Sequence, residues 1–198
     1  EEIAALRLSR SELPQSWDEA KGISGIAGYA GHLLIQSAPY MAEFATGAAG
    51  GARALARAGL SRGAARTTGG VVAGVPSSTG QVLSAQDEQA GEYELSSALP
   101  LGVAHSAVNA VAGPEAMIAR GLPRRALNMP ARIAVGAAAT ATGEAGEEVA
   151  QTFLEEVGRS RVDPTHDVLG EEAQKRYREA AIGGLLVGGI IGGVAGAP

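Results

Sequence analysis

Five polar residues, Glu144, Glu147, Glu148, Gln151 and Glu155, recur at three- and four-residue spacing. On a helix that spacing stacks them into one stripe, while Ala145, Val149, Phe153 and Val157 follow the opposing apolar line. Paired carboxylates of this kind can share a proton in acid–base catalysis or hold a divalent cation. A histidine or a nucleophile in company would favour such chemistry. None accompanies the stripe, so it reads as a solvated helix face.

The other chemistry-bearing residues are scattered. His32, His105 and His166 are far apart and lack metal-ligand spacing, so each reads as a packed or surface residue. There is no cysteine, which excludes disulfides and thiolate metal sites. A lysine nucleophile would have to be Lys21 or Lys175, and neither sits in an apolar run. No phosphate loop of the Gly-x-x-x-x-Gly-Lys type, no His-Glu-x-x-His pair and no Gly-x-Ser-x-Gly elbow occurs. No catalytic, cofactor-binding or metal residue is therefore assigned, and the expectation is a segment that is not itself an enzyme.

Two basic patches stand out, Arg53, Arg57, Arg62 and Arg66, then Arg120, Arg124, Arg125 and Arg132. They could meet phosphate. The chain as a whole carries 16 basic and 21 acidic residues, a net charge of −5, whereas nucleic-acid binders usually show a basic excess. Pairing with acidic faces of neighbouring subunits is the favoured role.

The most regular pattern is made of glycine. Gly184, Gly188, Gly192 and Gly196 fall every four residues, beside Gly189 and Gly193. On a helix they form a groove along which another helix can approach closely, either in protein or in lipid. A second series, Gly22, Gly25, Gly28 and Gly31, recurs every three residues. An interior glycine costs about 0.5–1 kcal/mol relative to alanine, so such stripes need close packing in return.

Glycine makes up 29 of the 198 residues, alanine is plentiful, and aromatic residues are only 4%. Alanine favours helix, and strand formers are sparse. The predicted fold is all-α, with several Gly/Ala-rich helices and helical hairpins separated by prolines and packed within a larger assembly. Pro14, Pro39, Pro76, Pro100, Pro114, Pro123, Pro130 and Pro164 supply the breaks. A short helix is expected over 1–10. Ser16-Trp17-Asp18-Glu19 forms a capping box opening a helix to about Ser37, with Trp17 and Tyr29 as apolar anchors. A third helix follows Pro39 to about Ala58.

Four segments result: N-terminal helices over 1–58, a Gly/Ser/Thr-rich linker over 59–78, short helices over 79–130, and a final segment over 131–198. The third contains helices at about 79–92, 95–112 and 114–120. The last comprises a long helix over 131–159, a charged linker, and a glycine-zipper helix from about Glu171 toward Gly196. The start at Glu1 rather than methionine, and the end at Pro198 just after the zipper, lead to the expectation of a chain cut from a longer polypeptide.

Uncharged windows cover 22–42, 67–86, 95–114 and 180–198. About 20 apolar residues span a bilayer. Three of the four are diluted by polar residues or proline, and only 182–197 looks lipid-compatible. A mean hydropathy of +0.07 is too low for a resident multispanning protein. The reading favours a buried helix over a spanning one.

The run Ala141-Thr-Gly-Glu-Ala-Gly-Glu-Glu-Val-Ala-Gln-Thr-Phe-Leu-Glu-Glu, followed by a charged linker and the glycine-rich helix at 180–197, resembles the internal virion, or ejection, proteins of short-tailed bacteriophages. The stretch Ser37-Ala-Pro-Tyr-Met-Ala-Glu-Phe-Ala-Thr-Gly-Ala-Ala-Gly-Gly-Ala has the same texture. The resemblance touches about half of the chain and rests on low-complexity composition. It implies storage in the virion interior, then passage to the host envelope, where such proteins form a conduit for DNA. Implied partners are other copies of the chain, other virion core, portal or tail proteins, the host membrane, and DNA without sequence specificity. Some family members carry a lytic transglycosylase or polymerase domain, but none of those catalytic residues has a counterpart here. A pore-forming or membrane-associated helical protein, and a helical accessory region of a lytic virion enzyme, are the alternatives.

Overall fold

A computed structural model describes residue 14 and residues 17–112 and 129–196. The predicted helix over 1–10, the cap at Ser16 and the helix at 114–120 lie outside the described residues. Within them the protein is all-α: a 3-10 turn at Trp17–Glu19 and five α-helices, with no strand among the described residues. The helices are α1 (Gly22–Arg57), α2 (Arg62–Ala90), α3 (Leu95–Ala112), α4 (Met129–Val162) and α5 (Glu171–Gly196).

The corners are set by local chemistry. Gly59, at φ +95°, closes α1 in a left-handed cap in which Leu60 N–H donates to Leu55 C=O and Gly59 N–H to Ala56 C=O. Two residues later Ser61 caps α2, its hydroxyl accepting from Ala64 N–H at 3.3 Å. Gly91, at φ +66°, ends α2 with its N–H on Asp87 C=O. Asp163 and Asp167 each fold the α4–α5 corner back on itself, accepting from the N–H of Thr165 and Leu169 at 2.9 Å.

Proline breaks fewer helices than the sequence suggests. The backbone is helical through Pro39, so the two expected N-terminal helices are one, α1. Pro76 lies inside α2 and Pro100 inside α3. Both rings face solvent, where water can satisfy the carbonyls left without a donor.

The expected linker over 59–78 is instead a corner followed by the first half of α2. Within it Gly69, Gly70, Gly74 and Ser78 are buried as the packing surface of a helix, while Thr67 and Thr68 stay exposed. A Cβ on Gly51 of α1 would come 3.2 Å from Gly69 Cα of α2, and one on Gly102 of α3 would come 2.7 Å from Thr79 Cα. Ser78 and Ala65 are fully buried. Small side chains let three backbones close on one another, which compensates for their poor helix propensity.

Five helices then pack as one bundle. α1 runs antiparallel to α2, α2 to α3, and α4 to α5, while α4 lies across both α2 and α3. The first half of α1 reaches α5, and the 3-10 turn bridges those two helices. There Trp17 meets Tyr29 edge-on, with ring centroids 6.2 Å apart. The apolar core is small, since Tyr29, Val82 and Val187 are its only large buried members among the described residues and the others are alanine. The rest of the interior is polar.

Candidate functional site

The α4–α5 hairpin gathers most of the residues singled out from sequence. α5 presents Gly184, Gly188 and Gly192 to α4 along a single line. A Cβ added to Gly184 would lie 2.6 Å from Ala145 Cα, one on Gly188 2.5 Å from Thr140 C=O, and one on Gly192 2.6 Å from Thr140 Oγ1. These glycines permit backbone-to-backbone contact, and their groove is occupied by the same chain's own α4. Gly189 and Gly193 stand to one side, where an added Cβ would be 4.0 Å from the Cβ of Ala141 and Ala137. Gly196 ends α5, and its packing lies outside the described residues.

The carboxylate stripe is not a solvated face. Glu147 is buried and Glu144, Glu148, Gln151 and Glu155 are half-buried, because α4 is covered on several sides by α2, α3 and α5. Glu144 roots its side chain against Gly188. Gln151 holds Glu147 at 2.9 Å and also donates to the Asn109 side-chain oxygen on α3. Burial, and then the charge of Glu155, push the Glu148 carboxyl from 4.5 up to about 7. Across the bundle, burial is the main cause that raises the Tyr29 hydroxyl, followed by the charges of Glu179 and Glu148.

His105 is fully buried on α3, with neither ring nitrogen hydrogen-bonded and Glu155 Oε1 3.7 Å from Nε2. His32 is buried on α1. The three histidines stay apart, and among the described residues no group of three His, Cys, Asp or Glu could hold a metal ion.

Sequence reasoning missed the strongest electrostatic feature. Glu156, fully buried on α4, accepts from Arg176 Nη1 of α5 at 3.1 and 3.2 Å, lies 3.3 Å from Arg159 Nε, and sits 2.7 Å from His166 Nε2 of the corner. Arg159 also reaches Glu88 of α2 at 3.0 Å. The Glu156 carboxylate thus ties α4 to α5 and their loop, and Arg159 carries the cluster on to α2. Arg159 stands at i+3 and is legible as a helical pair. Arg176 and His166 become neighbours only when the chain turns back.

Beside it, fully buried Gln86 of α2 donates to Ser97 Oγ of α3 and to Gly158 C=O of α4 while accepting from Glu94 N–H. Gln89 donates to Asp163 at 2.8 Å. The α2–α3 and α4–α5 corners therefore lie side by side at one end of the bundle. Chemically, the interior can exchange a proton near neutral pH at Glu148 and store opposed charges around Glu156.

No protein-family model, curated protein or solved structure matches this chain. Among the described residues no helix is long and apolar enough to cross a membrane.

Proposed function

We propose that this chain is a non-catalytic structural segment of a phage internal virion, or ejection, protein. It assembles with other copies or with neighbouring core, portal or tail proteins and helps form a conduit for DNA across the host envelope. The observation that carries the assembly part is the exposure of large apolar side chains on every α-helix and at three corners, Ile23, Val72, Tyr93 and Leu169 among them. A small alanine core with that much apolar surface suits a piece completed by neighbours. Of the stretches that resemble ejection proteins, 141–156 falls on α4 and 180–196 on α5, the two arms of the hairpin.

In this reading the segment is stored in the virion interior and later reaches the host envelope. Because the glycine groove of α5 is filled by α4, that groove meets lipid or another chain only after the two arms part. The pair Ala141 and Gly189, with Cβ positions 4.0 Å apart, is suited to a disulfide lock, and the chain has no other cysteine to interfere. The test adds the Ala141→Cys/Gly189→Cys chain, oxidised or reduced, to vesicles of zwitterionic and anionic phospholipid. Co-sedimentation and dye release are followed. The reduced form should bind and release dye, the oxidised form should not, and a reductant should restore both. Equal behaviour of the two forms would remove hairpin opening from the reading. A chain that ignores both lipid and every virion core component would reject it.

A further inference from the structure

The bundle is electrically polar along its length. α2 joins its two ends, and its 29 residues span about 43 Å. At one end lies the α1–α2 corner, where residues 53–66 hold four arginines and no acidic residue. Arg53, Arg57 and Arg62 are exposed there, and none makes an ion pair among the described residues. Leu60 stands exposed between them.

At the other end the α2–α3 and α4–α5 corners adjoin. Residues 87–94 and 161–172 together hold eight acidic residues, Asp87, Glu88, Glu92, Glu94, Asp163, Asp167, Glu171 and Glu172, against one arginine, Arg161. Of the nearby cations, Arg159 pairs with Glu156 and Glu88, Arg176 with Glu156 and Glu172, and Lys175 with Asp18 and Glu179. Among the described residues, the other six carboxylates of this end have no ion pair to these cations. Set among the carboxylates are three exposed apolar side chains, Tyr93 at 70%, Leu95 at 59% and Leu169 at 68%.

We infer that copies of this chain associate head to tail, the Arg53/Arg57/Arg62 corner of one docking on the acidic Tyr93/Leu169 end of the next. The contact deepens the assembly reading above by naming its interface. Charge complementarity selects the occupant: the surface that fits the acidic end is the one the chain itself carries at its opposite end. Unlike-sign ends steer encounter, like ends repel, and so the two-fold arrangement of equal ends is disfavoured. Arginines facing Tyr93 add a cation–π component, and Leu60 meets the apolar centre of the acidic end. A contact between unlike ends leaves a free head and a free tail on each pair, so it grows until it closes as a ring or runs as a filament.

Sedimentation of the 198-residue chain at low and high salt tests this, with folding checked by circular dichroism. The wild type should form oligomers that dissociate as salt shortens the range of the charges. Arg53→Glu/Arg62→Glu takes the basic end from +4 to 0, and Asp87→Lys/Glu92→Lys takes the acidic end from −7 to −3, so each weakens the attraction from one side. Each variant alone should associate at least tenfold more weakly, and an equimolar mixture should associate again. If either variant associates like the wild type, or the mixture stays dissociated, the head-to-tail contact is overturned while assembly through other surfaces stands. A wild type that is monomeric at every salt concentration also overturns the contact. The vesicle and virion-core assay then decides the broader reading independently.

Discussion

Gly188 of α5 lies so close to Thr140 of α4 that a Cβ on the glycine would sit 2.5 Å from the threonine's carbonyl oxygen. The obstacle is backbone, which cannot rotate away. Gly188→Ala and Gly192→Ala should each destabilise the fold by about 1–3 kcal/mol as the two helices are forced apart. Gly189→Ala, with 4.0 Å of room, should be neutral or stabilising by up to about 1 kcal/mol. Urea denaturation of the three variants checks this. Equal losses at all three positions would mean that only helix propensity had been measured.

Glu156 anchors three side chains, Arg159, His166 and Arg176, from a fully buried position. Glu156→Gln removes the charge but keeps the volume, leaving Arg159 buried beside a neutral amide. The expected loss is about 3 kcal/mol, visible as a lower urea midpoint. A loss below about 0.5 kcal/mol, the scale of a surface pair, would show that the cluster is solvated.

The raised carboxyl of Glu148 makes stability pH-dependent. Between about pH 4.5 and 7 the folded chain holds a proton that the unfolded chain gives up, so this group's contribution falls as the pH rises through that window. Above pH 7 the penalty is on the order of 3 kcal/mol. Glu148→Gln should therefore match the wild type near pH 4.5 and melt higher than it at about pH 8. A difference in melting temperature that is independent of pH would place Glu148 in water.

Gln86 joins three helices through one amide. Gln86→Met keeps the length and removes the hydrogen bonds, leaving Gly158 C=O with one fewer donor, at a cost of about 2 kcal/mol. Amide exchange gives a sharper readout. The Glu94 N–H, which donates to Gln86 Oε1, should lose protection before the helix interiors do.

Much of the helical layout was legible in the sequence. α3 and α5 start at the expected residues 95 and 171, and α4 extends only a few residues beyond the expected 131–159. What misled were small residues. Around 62–78, glycine, serine, threonine and Pro76 carry the composition of a loop, yet they form a helix because α1 and α3 close on it at backbone distance. The Glu144–Glu155 stripe misled for a related reason. Periodicity shows that residues share a face but not whether another helix covers that face. The Glu156 cluster needed the turn at 163–170 to bring Arg176 and His166 back, and no local spacing announces that.

The α4–α5 seam has a thermal consequence. A joint lined with leucine hides much hydrocarbon, and its strength varies with temperature through the heat capacity of the water it releases. The seam of Gly136, Thr140, Ala141 and Ala145 against Gly184, Gly188 and Gly192 hides mainly backbone and single methyl groups. Parting this glycine stretch therefore meets nearly the same resistance in cold water as in warm and bares little hydrocarbon, in contrast to the corner-side stretch where Phe153 meets Tyr177.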